Sequence, residues 1–199
     1  MGLSFTNTAA TTAAVTNRFV TSVNMANGTY TVANASPVWS GGCLVTATIT
    51  GIGGNDTPGT LTIVGTGVNG QPLTEVLTLA AGSVATSSNA FRTVTSLTQA
   101  GWTIVSTNDT IVVGCAAGNV ACGSAGTLGG VLVNNTVATA VTISDATRTI
   151  ITIPASQAAG TFYAFGDGVD FGGRLVVSTT STNDITVFHT GTSPSSYAL

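Results

Sequence analysis

Residues 59–80 read GTLTIVGTGVNGQPLTEVLTLA, and this stretch decides the fold class. Before its centre Leu61 and Ile63 flank Thr62, and a similar alternation of apolar and polar residues runs through residues 73–79. Alternation with a period of two places side chains of one kind on one face of a β-strand. The stretch therefore predicts two strands, each with one dry face.

The centre of this stretch, residues 65–70, reads GTGVNG and matches the pattern GxGxxG. In dinucleotide-binding proteins that pattern opens a helix whose N-terminus holds the pyrophosphate. Here Gln71, Pro72 and a second strand pattern follow it. The segment therefore predicts a hairpin turn and no nucleotide site.

Alternating segments of the same kind fill most of the chain on both sides of this hairpin. Turn residues separate them, and no segment shows a helical stripe. The predicted strands are 29–33, 43–52, 59–67, 72–80, 91–98, 101–107 and 110–115 in a first series, and 131–136, 140–146, 148–154, 160–166, 173–180 and 184–190 in a second. Short strands at this spacing predict an all-β chain of two tandem small β-sandwich modules, immunoglobulin-like or jelly-roll-like.

Shifts in composition predict the boundaries of these modules. The first two dozen residues lack a sustained period and indicate an extended arm, and a glycine-rich stretch before Leu128 indicates a connector. The predicted divisions are an N-terminal arm (1–23), a first module (24–117), a connector (118–130), a second module (131–191) and a C-terminal tail (192–199).

Charged residues make up 6% of the chain, against about 25% in an ordinary soluble domain. The chain has no lysine, and Glu75 is its one glutamate. A folded surface with so few charges resists aggregation poorly unless neighbouring subunits cover it. The composition therefore predicts a homo-oligomer or a subunit of a lattice.

The charge pattern and the hydropathy argue against several partners. Four isolated arginines and a net charge of −3 form no basic stripe for a nucleic-acid backbone. No apolar run approaches the roughly 20 residues that span a bilayer. Residues 1–20 lack a charged n-region and a continuous apolar h-region, so no secretion signal is predicted.

Residues able to carry chemistry are few and scattered. His189 is the one histidine, and no GxSxG elbow accompanies it. The acidic residues lie mostly at glycine- or threonine-flanked turns, where Asp bonds its own backbone. Asp167 and Asp170 match no known calcium-loop spacing. We expect no catalytic residue, no cofactor and no metal site, and hence no enzyme.

Cys115 and Cys122 bracket part of the glycine-rich stretch. Six intervening residues that include Gly118 can bring two Cα atoms within about 6 Å, so the pair is a candidate disulfide. Two reduced thiols are the alternative, which a reducing compartment would favour.

The predicted arm holds four large apolar residues that could anchor on a neighbouring subunit. Ordering such a segment costs roughly 1 to 2 kcal/mol per residue in backbone entropy, so a real contact must bury apolar area. The candidate assembly contacts are Phe5, Val15, Phe19 and Val20.

Two stretches resemble modules of tailed-bacteriophage structural proteins. Residues 51–98, about a quarter of the chain, combine a GND turn, the strands TLTIVGT and LTEVLTL, and an FRTVTS strand in an arrangement similar to a module common in those proteins. Residues 127–190 look like a module attached to phage head and tail proteins, with LGGVLVNN, AVTISDATRTIITIPA and a closing DITVFHT strand.

The resemblance implies a virion protein assembled in the host cytoplasm, and it supplies no functional residue. The expected function is that of a capsid decoration (cement) protein that binds the major capsid protein on the outer surface of the phage head. Because decoration proteins often occupy threefold sites, the resemblance favours a trimer as the homo-oligomer. The alternatives are a head-fibre, tail-fibre or adaptor subunit with a host-binding or joining role, and a secreted carbohydrate-binding β protein.

Overall fold

The computed structural model describes residues 4–8, 13–26, 28–37, 41–51, 56–103, 109–145 and 147–190, the first of these ranges by its backbone. Within these ranges the chain is all-β, as predicted. The strands are β1 (Ser4–Thr8), β2 (Val15–Asn24), β3 (Thr29–Tyr30), β4 (Cys43–Thr50), β5 (Thr60–Gly67), β6 (Pro72–Thr78), β7 (Val84–Ala100), β8 (Thr110–Cys115), β9 (Asn119–Cys122), β10 (Gly126–Val133), β11 (Val141–Ser144), β12 (Thr149–Ile153), β13 (Phe162–Phe171), β14 (Leu175–Thr179) and β15 (Ile185–His189).

The hairpin predicted from residues 59–80 is confirmed. Strands β5 and β6 pair antiparallel from Thr60 opposite Thr78 to Thr66 opposite Pro72. In the turn between them Gly70 has a φ of 75°, a backbone conformation that glycine adopts without a steric penalty. The GxGxxG pattern is therefore a turn between two strands.

The largest sheet has the strand order β2-β8-β4-β7-β5-β6, and β3 also pairs with β7. Strand β7 changes partner along its length, because Phe91 is the Cα partner of Cys43 in β4 and also of Gly67 in β5. Apolar side chains from β4, β8 and β5 share one buried cluster with Phe91. The two halves of the sheet therefore face each other across a common core.

The remaining strands, β1 and β9 to β15, form two four-stranded sheets, β1-β15-β10-β13 and β12-β11-β14-β9. Their buried apolar residues belong to a second cluster, in which Val131 and Val187 from one sheet join Ile143 and Val177 from the other. This arrangement is a β-sandwich, whose two sheets bury one face each. The number of independently folding modules stays a prediction.

The predicted connector, residues 118–130, is wrong as a linker, because β9 and the first part of β10 lie within it. Its glycines serve close packing in place of flexibility. A Cβ added at Gly130 would lie 2.5 Å from Cζ of Phe162, so the Phe162 ring packs directly on the Gly130 backbone. Composition alone does not distinguish these two uses of glycine.

The predicted N-terminal arm is also wrong. Strand β1 pairs with β15, and β2 pairs with β8. Phe19 and Val20 are 0% and 1% exposed, and both belong to the first cluster. The pairing of β2 with β8 shifts register on both sides of Val20. These shifts interrupt the period of two, and so the sequence pattern concealed the strand.

Three other predicted segments differ from the structure or extend beyond the described ranges. Strand β7 begins at Val84, seven residues before the predicted start at 91. The sequence pattern missed this part of the strand because a polar residue, Ser87, occupies a buried position there. The Oγ of Ser87 accepts a hydrogen bond from the backbone N of Val45 at 2.8 Å. In the predicted strand 101–107, Thr103 forms an isolated bridge with Thr57, and residues 104–107 lie outside the described ranges. The predicted tail, residues 192–199, lies outside them as well.

The candidate disulfide between Cys115 and Cys122 is wrong. Cys115 is bonded to Cys43, with a Cα–Cα distance of 5.6 Å, and Cys122 is a buried free thiol. The bond joins the neighbouring strands β4 and β8, whereas Cys122 lies in the second cluster. Closeness in sequence misled the prediction, because the true partner is 72 residues away.

Truncations of the N-terminus should separate the roles of the first two strands. Deleting residues 1–8 removes β1, an edge strand, so the first cluster should stay folded. Deleting residues 1–20 should unfold that cluster, because loss of one buried Phe side chain alone costs about 3–5 kcal/mol. Thermal unfolding followed by circular dichroism measures both, with Phe19→Ala as the matched point variant. An unchanged melting temperature for the 1–20 deletion would contradict the burial of β2.

The disulfide should stabilise the fold by restricting the unfolded chain. The double variant Cys43→Ala/Cys115→Ala should lose about 2–4 kcal/mol in the free energy of unfolding. Urea unfolding of oxidised protein measures this loss. Cys122→Ala is the control, and it should lose no more than about 1 kcal/mol, since it deletes one buried sulfur and leaves the disulfide intact. An equal loss in both variants would favour pairing through Cys122.

Candidate assembly surface

The outward face of β5, β6 and the second half of β7 is rich in threonine. The strand register aligns its residues in rows, such as Val76, Thr62 and Thr98. All members are half-buried or exposed, and none carries a charge. This threonine face consists of Thr60, Thr62, Val64, Thr66, Pro72, Thr74, Val76, Thr78, Thr93, Ser96, Thr98 and Ala100.

The chemistry of the threonine face combines methyl groups with hydroxyls. Val76 is 56% exposed and Val64 is 37% exposed, so the face presents branched apolar side chains to solvent. Each threonine hydroxyl can donate and accept a hydrogen bond; Oγ1 of Thr66 and Oγ1 of Thr93 already share one at 2.7 Å. Such a face can pack against another uncharged surface without desolvating an ion.

Glu75 interrupts the threonine pattern of β6 but lies on its other face. Its carboxylate accepts from the backbone N of Ser88 at 2.6 Å and of Asn89 at 3.0 Å. These charge-assisted bonds tie β6 to the first part of β7. The carboxylate of Glu75 is thus occupied by hydrogen bonds within the chain, and its charge lies away from the threonine face.

A cleft of about 180 Å³ lies where the β5–β6 turn meets the segment after β9. Its polar lining consists of the amides of Asn69, Gln71 and Asn89 and the hydroxyl of Ser124, and none of its lining residues is titratable or aromatic. The cleft therefore offers hydrogen bonds but no side chain that could act as an acid or a base.

The predicted assembly contacts do not form one surface. Phe19 and Val20 are buried in the first cluster, which contradicts their prediction as contacts with a neighbour. Val15 is half-buried opposite Cys115. The backbone of Phe5 lies opposite Phe188, and its side chain lies outside the described part of the chain.

The carboxylates considered from the sequence are dispersed. Asp167 and Asp170 both lie in β13, and Asp170 accepts a hydrogen bond from Oγ1 of Thr127 at 3.0 Å. Among the described residues no group of three or more His, Cys, Asp or Glu side chains could hold a metal. Calcium binding by Asp167 and Asp170 thus gains no support.

A different acidic pair comes together instead. Asp109 is fully buried, and its neighbour Asp56 raises the pKa of Asp109 chiefly by side-chain hydrogen bonding, with burial and the Asp56 charge adding to the shift. Sequence reasoning treated each aspartate as an isolated turn residue. A signal was present, since Asn-Asp-Thr occurs at both 55–57 and 108–110.

His189 is fully buried in β15, opposite Leu128 of β10. Burial lowers the pKa of His189, because desolvation penalises the charged imidazolium. Its position within a packed sheet gives it a structural environment that favours the neutral ring.

Comparison of the chain with protein-family models, with curated proteins and with solved structures finds no match.

Acid should destabilise the protein through His189. A lowered folded-state pKa contributes stability above the unfolded pKa of about 6.5, and this contribution is lost as the pH falls. The slope is at most about 1.4 kcal/mol per pH unit for one proton. The difference in unfolding free energy between wild type and His189→Gln should therefore shrink between pH 7.5 and pH 5, as measured by urea unfolding. Parallel profiles would show that the native ring protonates normally.

Proposed function

We propose that the chain is a non-enzymatic structural subunit of a virion, a capsid decoration protein that binds the outer surface of a phage head and stabilises it. The threonine face is the observation that carries this proposal. It is a broad, uncharged sheet face with exposed Val64 and Val76. The cores of protein interfaces are depleted of charged residues in the same way.

The stabilising effect follows from mass action. A ligand that binds the assembled lattice and not its separate subunits shifts the equilibrium away from disassembly. The major capsid protein is the proposed partner. Because charged residues make up only 6% of the chain, its folded surface favours coverage by neighbouring subunits. A homo-oligomer, with a trimer favoured, would array several threonine faces on the lattice and raise their joint affinity.

The proposed location is the capsid surface, after assembly in the host cytoplasm. None of the described ranges contains a helix long and apolar enough to cross a membrane.

A head-fibre, tail-fibre or adaptor subunit would use the same face but at low copy number. A carbohydrate-binding role would instead use the cleft lined by Asn69, Gln71 and Asn89, whose amides can bond sugar hydroxyls. That cleft lacks an aromatic ring on which a sugar could stack. The geometry therefore favours the assembly role.

Binding to heads of the phage that encodes the chain tests the proposal. Added to heads that lack it, the protein should saturate at hundreds of copies per particle, counted by quantitative mass spectrometry. Val76→Lys should weaken binding at least tenfold, because burying an unpaired ammonium costs more than about 1.4 kcal/mol.

Val84→Lys is the matched control. Val84 is 59% exposed and lies at the start of β7, opposite Thr48 of β4 and away from the threonine face. It should bind as wild type does. Saturation at a dozen copies or fewer would favour a fibre or adaptor, and equal binding by both variants would remove the threonine face from the interface.

A further inference from the structure

The two buried clusters are joined where strand β9 begins. Strand β9 pairs with β14 in the sandwich that holds the second cluster. It also bonds to the segment before β4, because the backbone N of Val120 donates to the Gly42 oxygen at 2.9 Å. The chain passes twice between the sandwich and the largest sheet, from β1 to β2 and from β8 to β9. The two parts therefore share more than one covalent connection.

Asn119, the first residue of β9, strengthens this contact with its side chain. It is 1% exposed, and its Oδ1 accepts from the backbone N of Gly41 at 3.2 Å and of Gly42 at 3.3 Å. Displacing a buried acceptor leaves its donors unpaired, which costs more than the net value of the bonds. Separating β9 from the segment before β4 breaks these two bonds together with the one from Val120.

Val68 lies in the turn between β5 and β6, and it fills a socket made by two glycines. A Cβ added at Gly42, before β4, would lie 2.6 Å from Cγ1 of Val68. A Cβ added at Gly123, after β9, would overlap Cγ2 of Val68. Heavy atoms in a close-packed interior do not approach so closely, so both positions must be glycine for Val68 to fit. The socket thus takes one glycine from each side of the junction.

Arg174 forms another contact between the same two parts. It immediately precedes β14, and its Nη1 donates to the backbone oxygen of Ser88 in β7 at 3.1 Å. The bond is charge-assisted but exposed, so solvent and salt weaken it. We therefore expect the Val68 socket and the Asn119 bonds to contribute most of the coupling.

We infer that the Val68 socket and the Asn119 bonds lock the two clusters into one cooperative folding unit. Close-packed contacts do not deform continuously, so the clusters either keep this arrangement or separate. The hairpin that carries Val68 also supplies part of the threonine face. The lock thereby fixes the direction of that face relative to the sandwich. The inference is independent of the proposed role in a virion.

Hydrogen exchange of the full oxidised chain, resolved by mass spectrometry, tests the coupling. Amides of β4 report on the first cluster, and amides of β11 and β14 report on the second. Phe19→Ala removes a side chain that is fully buried in the first cluster. If the clusters unfold together, the slowest amides of all three strands should lose protection by the same factor, about a hundredfold or more.

Ile143→Ala is the reciprocal variant, because Ile143 is fully buried in the second cluster. It should lower the protection of the slowest amides in β4, β11 and β14 equally. Val76→Ala is the matched control, since Val76 is an exposed residue of the hairpin that carries Val68. It should change the protection of these amides by no more than about twofold.

A double-mutant cycle, measured by urea unfolding, tests the socket itself. Gly123→Ala should lower the folding equilibrium constant about tenfold or more, because the added methyl overlaps Val68. In a Val68→Ala background the nearest atom to that methyl is Cβ of residue 68, at 3.8 Å, which is an ordinary contact. There the same change should cost less than about threefold. Gly172→Ala, whose Cβ would meet nothing within 4 Å, controls for the loss of a glycine.

Two results would overturn the inference. Protection that falls only in β4 after Phe19→Ala, or only in β11 and β14 after Ile143→Ala, would show that the clusters unfold separately. If Phe19→Ala does not fold, Ile143→Ala decides this question alone. An equal cost of Gly123→Ala in both backgrounds would show that Val68 does not occupy the socket, and the lock at this position would be wrong.

Discussion

The fold of the first cluster depends on one strand that must satisfy two partners. Strand β7 bonds β4 before Phe91 and β5 after it, so the halves of the largest sheet are joined by continuous backbone. Phe91 is fully buried at the point of change. Strands β4 and β5 pair directly with β7, and β8 and β6 join the sheet through them. The disulfide therefore lies on the side of β7 that carries β4 and β8, and the threonine face lies on the side that carries β5 and β6.

The sequence predicted the elements that keep a strict period of two and missed those that depart from it. The β5–β6 hairpin was predicted because Leu61, Ile63 and Leu77 face one core without interruption. Register shifts concealed β2, and glycines that allow close packing made β9 and the first part of β10 resemble a linker. Local patterns report which face of a strand is dry, but a bond from Cys43 to Cys115 depends on pairing between distant strands.

The candidate sites show the same limit. The threonine face arises from rows that cross β5, β6 and β7, so no single segment displays it. The pair of Asp56 and Asp109 likewise joins residues 53 positions apart, although the repeated Asn-Asp-Thr motif marks both. Scarcity of charge connects the two features. The chain has few charged side chains, and the carboxylate of Glu75 accepts hydrogen bonds from the backbone of β7. The outer face of the sheet is therefore left to hydroxyls and methyl groups.

The pairing of β1 with β15 has a consequence for the order of synthesis. Ser4 lies opposite His189, so β1 is synthesised long before β15, the strand with which it pairs. Until β15 has emerged β1 therefore has no native partner, whereas β2 can pair with β8 as soon as residue 115 has emerged. Loop closure over such a distance is slow relative to local hairpins. Strand β1 can thus join its sheet only after the other three strands of that sheet have been synthesised.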